Sequence, residues 1–246
     1  MYSILEHYLS TNHILMIGMI VTFILTFFLL EHPFSFLPSD QGRAFAVNGS
    51  LSKGKLRGVG FIFVLCFLIS SVLFLPIDVE YVIYAILLFA MMISGYLDDA
   101  SKTPWNEYKK GLIDLVISVV AVLTYMNFNS TTICFGADEI VIPKALFLIL
   151  GVILIWVSVN VTNCTDGVDG LCASLCSVTL LAFGVLFAPI LQKYAMANFL
   201  FLSVLFAYLY FNSSPSSMLM GDAGSRALGF YIAVIALKST HPFIYI

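Results

Sequence analysis

Charge is what this sequence has least of. Asp, Glu, Lys and Arg make up 10% of the 246 residues, against about 25% in an ordinary soluble domain. The net charge of −3 is small, which argues against nucleic acid as a partner. Cysteine is also scarce: there are five, an odd number, and Cys66, Cys172 and Cys176 lie in apolar runs. Neither a disulfide framework nor a C-x-x-C metal site is implied. The four histidines, His7, His13, His32 and His241, have no spacing relation to one another and do not suggest metal ligation. Residues 1–12 hold no Lys or Arg, and the apolar run after them leads into Glu31-His32-Pro33. A retained first span is therefore expected, not a cleaved leader.

What fills the chain is apolar: 61% of residues are hydrophobic and the mean hydropathy is +1.02. Eight apolar runs, at about 14–30, 58–75, 79–97, 111–126, 145–162, 170–188, 196–211 and 227–243, are each close to the ~20 residues a helix needs to cross a bilayer. The fold class expected is all-α, a polytopic integral membrane protein with eight spans. The stretch 127–144 is polar and β-branched around Gly136-Ala137-Asp138, and reads as a small outer hairpin. The loops after spans one, three, five and seven carry Arg43, Lys53, Lys55, Arg57, Lys102, Lys109, Lys110 and Arg226, against Lys144, Lys193 and Lys238 on the other side. That bias puts the odd-numbered loops in the cytoplasm and the N-terminus outside.

The scarce acids are oddly placed. Asp98 and Asp99 end the apolar run 79–97, and Lys102 follows one turn later. A helix C-terminus is the negative end of the macrodipole, so two carboxylates there are disfavoured, and like charges side by side add to the cost unless a cation offsets them. Two further polar clusters fall on the same predicted face: Asn160 to Gly170, with Asn163, Asp166, Gly167 and Asp169, and Asn212 to Ser225, with Asp222. Asp169 alone reads equally well as an N-cap of span six, and Asp222 or Ser225 as a cap of span eight. Asn212 alone is a helix terminator. Asp114, in the first turn of span four, is accounted for by the helix dipole. Any one charge of Lys53-Gly-Lys55-Leu-Arg57-Gly58 is an anchor to the inner surface, but cations interleaved with glycines also suit a phosphate-rich ligand. Carboxylates, amides and a basic loop at a bilayer suggest Mg²⁺ and phosphate chemistry on a lipid.

Three motifs then become recognisable in order: Gly95-Tyr-Leu-Asp98-Asp99-Ala-Ser-Lys102, Asn160-Val-Thr-Asn163-Cys-Thr-Asp166-Gly-Val-Asp169-Gly-Leu171, and Met220-Gly-Asp222-Ala-Gly-Ser225. They resemble the cytoplasmic signatures of the polyprenyl-phosphate N-acetylhexosamine-1-phosphate transferases. Residues 42–60 are similar to the first loop of the phospho-N-acetylmuramoyl-pentapeptide transferase branch. The resemblance implies a Mg²⁺-dependent, multi-pass enzyme of the bacterial cytoplasmic membrane, often a homodimer. Such an enzyme moves a phospho-sugar from a UDP-sugar to undecaprenyl phosphate at the cytoplasmic face, as a step of peptidoglycan synthesis. It further implies Asp222 as metal ligand and Asp98 and Asp99 as essential acids. Lys53, Lys102, Asn160, Asn163, Asp166, Gly167, Asp169 and Asn212 would then line the substrate site.

A lipid phosphate is already largely dianionic at pH 7, with a second pKa near ~6, so the acids are expected to position groups more than to remove a proton. The branch using UDP-N-acetylglucosamine stays open as an alternative. A transporter is the more distant alternative, whose charges would lie near the bilayer midplane. Departures from the family pattern are Lys55-Leu-Arg57-Gly-Val-Gly60 in the first loop, Leu219 for an aromatic, Arg226 for a leucine, and no lysine near Ile117 in span four. The family pattern continues into a last cytoplasmic loop with a histidine cluster. A single transferase domain over 1–246, C-terminally incomplete, is therefore expected.

Overall fold

The computed structural model describes residues 1–32, 34–40, 42, 52–101, 103, 105–135 and 138–241. After a four-residue helix α1 (Tyr2–Leu5), eight long helices follow among the described residues. They are α2 (Thr11–Glu31), α3 (Gly60–Phe74), α4 (Val79–Asp99), α5 (Glu107–Phe128), α6 (Lys144–Thr165), α7 (Leu171–Phe187), α8 (Gln192–Asn212) and α9 (Gly221–Lys238). Each overlaps one predicted span. A two-stranded antiparallel sheet, β1 (Thr132–Phe135) with β2 (Asp138–Val141), occupies the predicted hairpin region, in the register Thr132↔Val141 and Ile133↔Ile140. Its tip at Gly136 and Ala137 lies outside the described residues.

Five helices, α2, α4, α5, α6 and α8, are long and apolar enough to cross a membrane. Helices α3 and α7 are apolar but shorter, and the 15 residues of α3 give a rod of only about 22 Å. The outer surface is what a bilayer requires: Phe28, Ile86, Ile153 and Val178 are 56%, 61%, 52% and 68% exposed. A soluble monomer rarely shows contiguous apolar surface on this scale. The chain is a multi-pass membrane protein.

Helix boundaries follow local chemistry where the loops are polar. Asp78 caps α4 by accepting the Tyr81 N–H at 2.9 Å, and Asn106 caps α5 by accepting the Lys109 N–H at 2.8 Å. Both are ordinary N-cap arrangements. All five cysteines are free, and Cys66, Cys172 and Cys176 are buried, as small hydrophobes should be.

Helix α9 is the axis of the fold, and every residue from Gly221 to Lys238 is buried. Glycines let its neighbours approach at backbone distance, the usual device between helices in lipid. A Cβ at Gly60 of α3 would fall 2.1 Å from the Gly224 nitrogen, and one at Gly95 of α4 would fall 2.3 Å from the Asp222 carbonyl oxygen. Deeper in the core, Phe67 of α3 stacks on Phe201 of α8 with ring centroids 4.2 Å apart, and both rings meet Tyr231 of α9 edge-on.

Alternating helix directions gather the two kinds of end apart. At one end lie the hairpin and a buried lock: Lys238 Nζ donates to both oxygens of Glu80, at 3.0 and 2.9 Å, and to Asn129. At the other lie the C-termini of α2, α4, α6 and α8 and the N-termini of α3, α5, α7 and α9. The unusual polar clusters all belong to that second end.

Candidate active site

The site is built around the N-terminus of α9. The run 218–220 that leads into it lies beside the loop before α3: Leu219 N–H donates to Leu56 C=O at 2.8 Å, and Gly60 N–H donates to Met220 C=O at 3.1 Å. On its other side the same loop is held by Arg57 N–H to Pro38 C=O at 2.9 Å and Asp40 N–H to Lys55 C=O at 2.8 Å. This three-ply ladder buries Leu219 and fixes where Arg57 emerges.

Arg57 reaches three acids at once. Its Nε donates to Asp99 Oδ1 at 2.7 Å, Nη1 to Asp40 Oδ1 at 3.3 Å, and Nη2 to Asp222 Oδ1 at 3.4 Å. Burial acts to lower its pKa, but Asp99, Asp222 and Asp40 more than reverse this and hold it above its ordinary value. Asp99 also accepts the Ala223 N–H at 3.1 Å through Oδ2. The acid that looks misplaced at the end of α4 thus sits at the positive N-terminus of α9, with a guanidinium beside it. Gly221, with φ +65°, is required there: a Cβ would lie 2.3 Å from Asp99 Oδ2.

Asp98 and Asp222 share a second cation. Lys110 Nζ, from α5, lies 2.7 Å from Asp98 Oδ2 and 3.1 Å from Asp222 Oδ2. Asp98 Oδ1 accepts the Trp105 N–H at 2.7 Å. Asn163 of α6 donates to Asp222 Oδ1 at 3.2 Å and to Ser225 Oγ at 2.9 Å. Helix α9 begins six residues before the predicted span, so Asp222 stands inside its first turn. The cap reading of Asp222 gives way: the N-cap is Met220, without a side-chain cap bond, and the carboxylate faces the cations.

Asp169 is not the cap of α7 either. Gly170, in the left-handed conformation, occupies that position, and Asp169 accepts the Ser216 N–H at 3.0 Å. Lys55 lies 3.7 Å from Asp169 and donates to Ser216 Oγ at 2.8 Å. Asn212 is buried and braces two loops: its Oδ1 accepts the Gly170 N–H and its Nδ2 donates to Met218 C=O, both at 2.9 Å. Burial alone would raise the Asp169 pKa, but the Ser216 bonds and Lys55 hold it below the ordinary carboxylate value. A group depressed on folding adds stability above its unfolded pKa of about 3.9, and that stability is lost as pH falls through the folded value. Acid unfolding of the protein in detergent below about pH 4 should therefore lose part of its pH dependence in Asp169→Asn.

The remaining predicted site residues are placed differently. Asn160 turns back to donate to Trp156 C=O at 2.7 Å. Asp166 caps the C-terminus of α6, and Gly167 is exposed beside it. Lys53 is exposed, and among the described residues it makes no ion pair. Lys102 and Arg43 lie outside the described residues.

Three partners in this knot are not evident from the sequence: Asp40 carries no distinguishing local signal, Lys110 reads only as an inner-surface charge, and Arg57 reads only as one cation of a loop that anchors to the inner surface or suits a phosphate-rich ligand. The dipole explanation of Asp114, and the placing of Arg226 in a loop, need correction. Arg226 is in the second turn of α9, 2% exposed, and its Nη2 bonds Oδ1 of Asp114, also 2% exposed. The i, i+4 spacing of Lys110 with Asp114 and of Asp222 with Arg226 was the available signal. It stacks two ion-paired rungs between α5 and α9.

The donor set can accept a metal. One ammonium already sits at a point shared by carboxylate oxygens of Asp98 and Asp222, which suits an ion that takes one or two carboxylates and completes its shell with phosphate oxygens. No group of three or more His, Cys, Asp or Glu is arranged to hold a metal among the described residues.

Helices sized for a bilayer, with an acid-and-cation knot gathered at one end, define a multi-pass membrane enzyme. Residues 81–240 match the model of glycosyl transferase family 4, and the chain belongs to that family. It is similar to a phospho-N-acetylmuramoyl-pentapeptide-transferase of Treponema pallidum, 35% identical over 250 aligned positions covering 93% of this chain and 69% of the relative. Proteins of the same name from Microcystis aeruginosa and Halalkalibacterium halodurans are 31% and 29% identical. Those alignments cover 74% and 93% of this chain, and 53% and 76% of the relatives.

Proposed function

We propose that this protein transfers phospho-N-acetylmuramoyl-pentapeptide from its UDP conjugate to undecaprenyl phosphate, releasing UMP, at the cytoplasmic face of a bacterial membrane. The observation that carries this reading is the joining of Asp98, Asp99 and Asp222 through Arg57 and Lys110, in a chain 35% identical to a transferase of that name. The excess of Lys and Arg in the odd-numbered loops supports the cytoplasmic placement.

The chemical obstacle is the approach of a dianionic lipid phosphate to a diphosphate. Catalysis of phosphoryl transfer is largely positioning and charge stabilisation, and two cations held by buried acids are pre-arranged for both. Arg57, fixed by three carboxylates, supplies a rigid fork for phosphate oxygens. Lys110 supplies a mobile point charge. Mg²⁺, held by Asp222 with Asp98, would polarise the phosphoryl oxygens when bound. Asp99 keeps Arg57 in place and caps α9, so its role is positioning. Asn163 orients Asp222; Asp169 and Asn212 fix the loops around the site. Asp166, Gly167, Asn160, Lys53 and Lys102 are assigned to the sugar and its phosphates on the family resemblance.

The test is UMP release by the purified full-length protein with Mg²⁺, undecaprenyl phosphate and each UDP-sugar given separately. Release with the muramoyl-pentapeptide donor alone is expected. Release with UDP-N-acetylglucosamine alone would move the protein to the other branch, and none with either would overturn the transferase reading.

A further inference from the structure

Asp222 is fully engaged by donors of the protein itself. Its Oδ1 accepts from Arg57 at 3.4 Å and from Asn163 at 3.2 Å, and its Oδ2 accepts from Lys110 at 3.1 Å. Asp98 is equally occupied, by the Trp105 N–H and by Lys110, both at 2.7 Å. A divalent ion that reaches these carboxylates has to displace a donor, and the donors are not held alike. The Arg57 fork is gripped by Asp99 and Asp40 as well as Asp222. Asn163 is tied to Ser225 too. The ion-pair partners of Lys110 among the described residues are Asp98 and Asp222, the two acids a metal would claim. Its charge is compact, on a flexible four-carbon stem, and so it is the donor best able to leave.

We infer that Lys110 is the exchangeable counter-ion of this site: it holds the seat between Asp98 and Asp222 in the empty enzyme, yields it to Mg²⁺, and moves onto the diphosphate of the UDP-sugar. An ammonium and a divalent ion cannot share a seat about 3 Å across, because the repulsion of their charges is large even at high effective dielectric. Metal alone therefore binds against Lys110. A nucleotide diphosphate gives the displaced ammonium a new partner, so metal and nucleotide bind cooperatively. The coupling acts equally in both directions. This inference rests on the transferase reading, from which it takes its UDP ligand.

The test uses the purified full-length protein in detergent. Mn²⁺ binding is followed by electron paramagnetic resonance and UDP binding by calorimetry, each with and without the other ligand. In the wild type, saturating UDP should tighten Mn²⁺ at least about fivefold. In Lys110→Met, Mn²⁺ alone should bind more tightly than to wild type, by a similar factor, and the enhancement by UDP should shrink. Lys110→Gln, neutral but polar, should do the same and guards against a packing effect of methionine. Wild-type binding of Mn²⁺ that UDP leaves unchanged would overturn the inference without any variant. Neutral variants that bind Mn²⁺ no more tightly than wild type would overturn it as well. Failure of the wild type to bind either ligand would instead overturn the transferase reading beneath it.

Discussion

Asp222→Asn is expected to lower kcat for UMP release by about 10²–10³-fold, the scale on which a single pre-organised charge-stabilising group acts, while the protein stays folded. Asp222 meets Arg57, Lys110 and Asn163, all on other elements. The amide keeps the shape of the carboxylate but not its charge, so it cannot hold a cation against a diphosphate. Folding should survive because each cation retains other acids. Arg57 keeps Asp99 and Asp40, and Lys110 keeps Asp98. Steady-state kinetics in micelles with both substrates saturating, alongside a thermal melt, separates the two effects. A variant that melts as wild type and turns over normally would remove Asp222 from the site's chemistry.

Arg226→Leu is expected to cost about 3–5 kcal/mol of stability, because it leaves Asp114 buried without a counter-charge. The pair is almost wholly covered, with 2% exposure on each side. Yet Nε and Nη1 of Arg226 find no partner among the described residues. A buried pair that is incompletely satisfied adds little beyond apolar side chains of similar volume. The double variant Asp114→Leu/Arg226→Leu should therefore recover most of what the single one loses. Thermal melts of wild type, single and double variants check this. A double variant no more stable than the single would mean that the ionic contact itself holds α5 to α9.

Much of the fold was legible because a bilayer makes apolar run length decisive. All eight predicted spans overlap long helices, and the strand pair falls where a polar, β-branched stretch interrupts them. The start of α9 was not legible. Gly221-Asp222-Ala-Gly-Ser225 has no apolar character, and it is helical because Gly60 and Gly95 let neighbouring backbones close around it. The same limit applies to the site. Asp98 and Asp99 stood out as carboxylates at the wrong end of a helix. What offsets them, Arg57 and the N-terminus of α9, lies 42 and 124 residues away from Asp99 in the chain. The Asp114–Arg226 contact spans 112 residues, and each partner taken alone had an ordinary local explanation. The i, i+4 spacing of Lys110 with Asp114 and of Asp222 with Arg226 marks a charged stripe on each helix, but nothing local shows that the two helices meet.

The central claim is that the knot at the N-terminus of α9 is where metal and UDP-sugar meet. Phosphorus NMR of bound UDP-sugar with substoichiometric Mn²⁺ tests it directly, since a paramagnetic ion broadens only nearby nuclei. Both phosphorus resonances should broaden strongly in the wild type. In Asp222→Asn, with UDP-sugar kept bound by raising its concentration, the broadening should largely disappear. Equal broadening in the two proteins would place the metal elsewhere and contradict the account.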